Sequence, residues 1–245
     1  GQTVGVSTAV SGRTVAIAVH PTNPNIAYVG TAQGGLYRTT NGGSSWTPLM
    51  DNAQSLAIGT LTLAPSNPEI LFVGTGEQTF SASSFFGVGI YRIENASSAS
   101  PTIVGPINKE NITNADVFSG RAVGEILVHP TDPNIIFATT NSGIGGIGPA
   151  QPGTVPNRGL FRSTNAMSAT PTFTRLAVTS LGLGENRNVV DMVMEPGNPN
   201  GIVVSVTGTA AIGTTTPPTP ADNGGLFLTQ CDRQCQQAHG VQNNA

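Results

Sequence analysis

The chain has 245 residues, a net charge of −3, 38% hydrophobic and only 9% charged residues. The absence of a basic excess argues against a nucleic-acid partner. No apolar run approaches the ~18 residues of a membrane-spanning helix, so no membrane insertion is expected. Lys109 is the single lysine, and Gly and Pro are abundant at 31 and 18 residues. Helical surfaces lean on Lys and Glu for propensity and side-chain pairing. A surface of Ser, Thr, Asn, Gln and Gly reads instead as all-β and extracytoplasmic.

Residues 1–10 lack the basic start and apolar core of a signal peptide. Residues 2–10 alternate in the manner of an N-terminal strand. From residue 11 a phrase recurs four times: Val19-His20-Pro21-Thr22-Asn23-Pro24-Asn25, Leu63-Ala64-Pro65-Ser66-Asn67-Pro68-Glu69, Val128-His129-Pro130-Thr131-Asp132-Pro133-Asn134 and Met194-Glu195-Pro196-Gly197-Asn198-Pro199-Asn200. The second prolines lie 44, 65 and 66 residues apart. Proline ends a strand and Asn or Asp starts a tight turn. An apolar alternating run stands on each side of every phrase, so each phrase predicts a β-hairpin; His20 and His129 belong to the turns.

A third strand follows in each unit at Gly35-Leu36-Tyr37-Arg38, Gly89-Ile90-Tyr91-Arg92, Gly159-Leu160-Phe161-Arg162 and Gly225-Leu226-Phe227-Leu228. A fourth is visible in the first unit over residues 45–49, and a degraded copy stands at Ser163-Thr164-Asn165 with Thr172-Phe173-Thr174. Four short antiparallel strands repeated over about 45–65 residues are blades of a β-propeller. The predicted blades are 11–57, 58–118, 119–188 and 189–230, followed by a polar tail over 231–245. Blade four lacks an alternating fourth strand. Residues 2–10 could supply it and close a four-bladed ring. The alternative is that these blades belong to a larger propeller or sit against another chain, because open blade edges drive association.

The segment Thr40-Asn41-Gly42-Gly43-Ser44-Ser45-Trp46 resembles the Asp-box, or BNR repeat, of sialidases, sortilin-type receptors, family 74 xyloglucanases and Ycf48-type assembly factors. Residues 17–25 with Tyr28-Val29-Gly30-Thr31 are similar to the wider WD40/YVTN/BNR-like group, and the resemblance covers residues 11 to about 230. Asn41 stands where that family often has Asp. The resemblance implies that Asn41, Gly42, Gly43 and Trp46 are structural. They would build the hairpin between strands three and four, with the tryptophan inserted between neighbouring strands.

In a propeller the start of each inner strand and the loop joining strands two and three share one face, the usual ligand face. The loop is short in blade one but long in blades two, three and four (residues 76–88, 141–158 and 208–224), and long loops in compact units carry function. Phe80, Phe85 and Phe86 in the second blade's loop either pack on the blade or form a contact patch. Arg13, Arg121 and Arg187 precede the inner strands of blades one, three and four, and Glu125 and Asp191 follow Arg121 and Arg187 inward. Two readings are open for this set: a charged pocket for an anionic or sugar ligand, and Arg–carboxylate bracing between blades.

Hydrolytic relatives imply more than is present. A sialidase-like site would need an arginine triad, a Tyr–Glu pair and an acid Asp, and the Arg-Ile-Pro signature is absent. A xyloglucanase-like site needs two carboxylates across a cleft. Glu77 is the best of few candidates, and nothing in sequence pairs it with an acid. Cys231 and Cys235 read as a local disulfide; a Cys/Cys/His set with His239 is the alternative, and neither spacing matches a known zinc or redox motif. No cofactor or metal is expected. The preferred function is a non-catalytic extracytoplasmic module that binds a protein or glycan partner on its long-loop face. The alternatives are a segment of a glycoside hydrolase and a structural subunit of a cell-surface assembly.

Overall fold

The computed structural model describes residues 12–78, 84–143, 155–176, 186–206, 225–230 and 238–241. Residues 1–11, with the expected N-terminal strand, lie outside them, as do Phe80, Cys231 and Cys235. Among the described residues sixteen strands form four four-stranded antiparallel sheets, each in simple up-and-down order. Blade one is β1 (Thr14–Val19), β2 (Ala27–Thr31), β3 (Leu36–Thr39) and β4 (Thr47–Pro48). Blade two is β5 (Ile58–Ala64), β6 (Asn67–Thr75), β7 (Ile90–Glu94) and β8 (Thr102–Ile107). Blade three is β9 (Ala122–Val128), β10 (Ile136–Asn141), β11 (Leu160–Ser163) and β12 (Thr174–Leu176). Blade four is β13 (Val189–Glu195), β14 (Asn198–Val206), β15 (Gly225–Gln230) and β16 (Ala238–Val241).

The proline phrases form the β1–β2, β5–β6, β9–β10 and β13–β14 turns. In the first, His20 Nδ1 accepts from the Thr22 and Asn23 amides at 3.3 and 3.2 Å, and the Ile26 amide closes onto the Asn23 carbonyl at 3.0 Å. His129 repeats this with the Thr131 amide. Both rings therefore hold turns.

Alternation sorts each blade's side chains onto two faces, and the facing surfaces of successive blades pack together. Ala18, Tyr28, Leu36, Ile58, Leu61, Leu71 and Val73 fill the layer between blades one and two. Ile70, Phe72, Ile126, Val128, Ile136, Ala138 and Phe161 fill the next layer, where Phe118 meets Phe161 and Phe173 at ring separations of 4.9 Å. Phe137, Leu160, Val189, Met192, Ile202 and Val204 join blades three and four. Burial of each large apolar side chain stabilises by about 1.5–3 kcal/mol. The inner strands β1, β5, β9 and β13 adjoin in series. Blades two and three approach closely enough to demand glycine: a Cβ on Gly59 would lie 2.2 Å from the Gly76 carbonyl and 2.3 Å from that of Val123.

Two expectations need correction. Blade four has a fourth strand within the stretch read as a polar tail: β16 pairs with β15 through Leu226↔Val241 to Thr229↔Ala238. An outermost strand needs backbone partners more than an apolar face, so it carries no alternation to read. Trp46 is not inserted in a core; it is 42% exposed. The box around it does build the expected turn. Asn41 Oδ1 accepts from the Thr39 hydroxyl and the Ser45 amide, both at 2.9 Å, and Gly42 and Gly43 take φ of 66° and 90°. The same turn recurs at Asn95 in blade two, where the box was not legible, and at Asn165 in blade three. In each, the residue after the Asn donates its amide to the preceding hairpin: Gly42 to Asn25, Ala96 to Glu69 and Ala166 to Asn134, all at 3.0 Å.

Candidate functional site

The starts of β1, β5, β9 and β13 and the ends of β2, β6, β10 and β14 lie at one end of the blades. The long loops leave from this end. Gly76 N donates to the Ala57 carbonyl and Glu77 N to that of Phe85, so the second blade's loop turns back on itself. Gly87 then donates to the Arg121 carbonyl at 2.7 Å, which docks this loop on the start of blade three. Phe85 and Phe86 are half-buried along it.

The arginines separate into two sets. Arg13 Nη2 lies 2.6 Å from Glu77 Oε2 and 2.5 Å from Oε1, tying the start of blade one to the end of β6. Glu77 is fully buried in this pair, so the best carboxylate candidate from sequence is a brace between blades with no open face. Arg121 and Arg187 lie in a second set with Arg158, which precedes β11. Arg158 is fixed by Asn186 Oδ1 at 3.0 Å, Asn188 Oδ1 at 2.9 Å and the Ser142 hydroxyl at 3.0 Å. Arg121 Nε donates to the Pro156 carbonyl at 2.6 Å. Burial and then the Arg158 charge push the Arg121 guanidinium down to about 10. Burial and then Arg187 lower Arg158 in turn. Like charges gathered beside a half-buried site favour an anion there. Among the described residues no carboxylate forms an ion pair with Arg121 or Arg158.

Glu125 and Asp191, aligned in sequence as equivalent positions, sit on adjacent inner strands and meet, a pairing that neither sequence reading contained. Glu125 Oε2 accepts from the Met192 amide at 2.7 Å. Burial, then the hydrogen bond shared with the Asp191 carboxyl and the Asp191 charge, push Glu125 up to about 7, against the lowering effect of Met192 N–H. A carboxyl raised this far next to a carboxylate is the environment of a general acid. The two groups share a hydrogen bond, however, whereas glycosidase pairs stand about 5 Å or more apart to admit the sugar or a water.

Sequence reading missed Arg158, Asn186, Asn188, Gln78 and Asn141. Asn141 donates to Gln78 Oε1 at 2.6 Å over Gly124, whose missing side chain admits them. The one signal the sequence offered for Asn186 and Asn188 is that they flank Arg187; in the structure Asn186 takes the left-handed region at φ 74°, which Asn tolerates. Arg158 stands in a long loop beside the third-strand glycine and repeats in no other blade.

No protein-family model and no curated protein sequence matches the chain. Solved structures do. An ancestral GH74 enzyme superposes with a TM-score of 0.56 at 18% identity, over 89% of this chain and 24% of its own. The GH74 xyloglucanase of Xanthomonas campestris gives 0.52 at 16% identity, over 88% and 27%. Ycf48 of Cyanidioschyzon merolae gives 0.37 at 13% identity, over 90% and 68%. The chain thus spans about a quarter of the length of the two enzymes. At these identities the likeness is one of fold alone: the chain is built as four four-stranded antiparallel blades and shares the β-propeller fold of parts of these larger proteins.

Proposed function

We propose that the chain is a non-catalytic, extracytoplasmic propeller module that binds an anionic group on a protein or glycan partner at its long-loop end. The observation that carries this reading is the Arg121–Arg158–Arg187 cluster, in which the Arg158 charge lowers Arg121, the Arg187 charge lowers Arg158, and neither Arg121 nor Arg158 has an ion-paired carboxylate among the described residues. A carboxylate or sulfate placed among them would relieve that repulsion and take charge-assisted hydrogen bonds from Arg121, of which Nε alone is engaged among the described residues. Binding of this kind is electrostatic and weakens with salt.

The hydrolase alternative draws support from the fold of the two GH74 enzymes and from the raised Glu125 beside Asp191. It is disfavoured by the hydrogen-bonded closeness of that pair and by the burial of Glu77 against Arg13. The test is calorimetric titration with a sulfated heparin oligosaccharide and a neutral xyloglucan oligosaccharide. Binding of the sulfated ligand, weakened at least about tenfold by Arg121→Gln or by raising salt to about 0.5 M, is expected. Equal binding by the variant refutes the site, and turnover of xyloglucan that is abolished by Glu77→Gln or Glu125→Gln replaces the module with an enzyme.

A further inference from the structure

The seam between blades one and two opens, towards its long-loop end, into a cavity of about 300 Å³. The connection from β4 to β5 forms one wall with Leu49 and Ala53, and β8 forms the other with Ile103 and Pro106. Met50 and Tyr91, 2% and 3% exposed, make the floor. Backbone bonds hold the first wall in place: Leu49 N donates to the Leu36 carbonyl and Ala53 N to that of Met50, both at 2.9 Å. Gln54 N donates to the Tyr91 hydroxyl at 3.1 Å and ties this wall to the floor. Gly105 lets β8 lie directly on the tyrosine, since a Cβ there would stand 2.6 Å from Tyr91 Cδ1. The cavity is thus formed before any ligand arrives.

Its polar groups are few and specific. The Tyr91 hydroxyl accepts from Gln54 N, but among the described residues its own proton has no acceptor. Burial raises Tyr91, against the opposing pull of the Gln54 amide, so the phenol keeps that proton and remains a donor. Asn52 and Gln54 stand exposed at the rim, and among the described residues neither carboxamide has a partner. Each offers one acceptor and two N–H donors. No charged side chain lines the cavity.

This inventory selects the ligand. An ion would give up its hydration with no opposite charge to meet it. A sugar ring would press its hydroxyls against the apolar walls and leave them unpaired, and the buried Tyr91 ring, covered by Gly105, offers no face for stacking. A peptide residue with an aliphatic side chain matches every part. Its side chain meets Leu49, Met50, Ala53, Ile103 and Pro106, and its main-chain groups meet Tyr91, Asn52 and Gln54.

We propose that this cavity is a pocket for one uncharged aliphatic residue of a partner polypeptide, whose main-chain carbonyl accepts from the Tyr91 hydroxyl. Ligand pockets begin at about 300 Å³, so one residue with its flanking peptide groups is the appropriate size. The pocket shares no residue with the Arg121 cluster, and its test is independent of that reading.

The test titrates the full chain with N-acetyl-leucinamide, N-acetyl-glycinamide and methyl glucoside, followed by saturation-transfer NMR. N-acetyl-leucinamide is expected to bind with a Kd on the order of 1–10 mM, at least about tenfold tighter than the glycine compound, which lacks the side chain. Tyr91→Phe is expected to weaken it at least about fivefold, and Ala53→Trp, which fills the cavity, to abolish it. Tyr91→Phe also removes the acceptor of Gln54 N; should that variant not melt cooperatively, Ala53→Trp carries the comparison. Absence of saturable binding up to about 50 mM, equal binding of the leucine and glycine compounds, or binding that survives Ala53→Trp overturns the proposal. An unchanged affinity in a folded Tyr91→Phe variant overturns it as well. Tighter binding of the glucoside overturns it in favour of a sugar site. Self-association lost in Ile112→Ser overturns it in favour of a second copy, whose Ile112, 84% exposed, would be the occupant.

Discussion

Glu125→Gln isolates the carboxyl pair between blades three and four. In the native fold Glu125 is raised to about 7 from an ordinary 4.5, by burial first and then by its hydrogen bond to Asp191. Between those two values the folded protein holds a proton that the unfolded chain releases. Linkage then makes the contribution of this group to stability largest below about pH 4.5 and progressively lost as pH rises through about 7. A fully sheltered group with this shift would account for about 3 kcal/mol. Glu125 is partly open to water, and screening reduces the effect to on the order of 1–2 kcal/mol. Glutamine keeps a neutral donor for Asp191 and an acceptor for Met192 N–H, and it does not titrate. Urea unfolding followed by circular dichroism is therefore expected to give similar stabilities for the two proteins at about pH 4.5 and a glutamine variant more stable by on the order of 1–2 kcal/mol at about pH 8. The other carboxylates titrate alike in both proteins and cancel in the difference. A difference that is constant across this range refutes a proton shared between Glu125 and Asp191.

Arg92 Nη1 on β7 donates to the Ala166 and Ser168 carbonyls of blade three, and Arg92→Met removes these inter-blade bonds and strands both carbonyls together with Glu94, which Arg92 holds at 2.7 Å. A loss of about 3 kcal/mol in urea unfolding is expected, and less than about 1 kcal/mol contradicts these bonds. Gly59→Ala drives a methyl against two backbone carbonyls and is expected to lower stability by about 1–3 kcal/mol; an unchanged melting temperature contradicts that close approach. Trp46→Ala, at an exposed position, is expected to change stability by no more than about 1 kcal/mol, and a loss near the 3–5 kcal/mol typical of a core aromatic means that the tryptophan is covered in solution.

The period-two apolar runs, the proline phrases and the glycine-led third strands were enough for the sequence by itself to determine an all-β chain of repeated hairpins. Each of these is a local property: alternation selects the strand, and Pro, Asn and Gly select the turn. The facing of Arg121 towards the long-loop end and the alignment of Glu125 with Asp191 were legible for the same reason, because register repeats from blade to blade. What a side chain meets across the blade interface was decided only by the tertiary structure. Arg13 finds Glu77 at a separation of 64 residues, and Arg38 finds the Ala96 carbonyl at 58. A backbone carbonyl leaves no mark in a sequence, so the bonds of Arg38 and Arg92 to the next blade were hidden although the arginines were in plain view. The same limit hid β16, whose place depends on the free edge of β15 rather than on its own pattern. Trp46 is the converse case: its turn is locally encoded and forms, but its burial depends on a covering surface that the described residues of this chain do not provide.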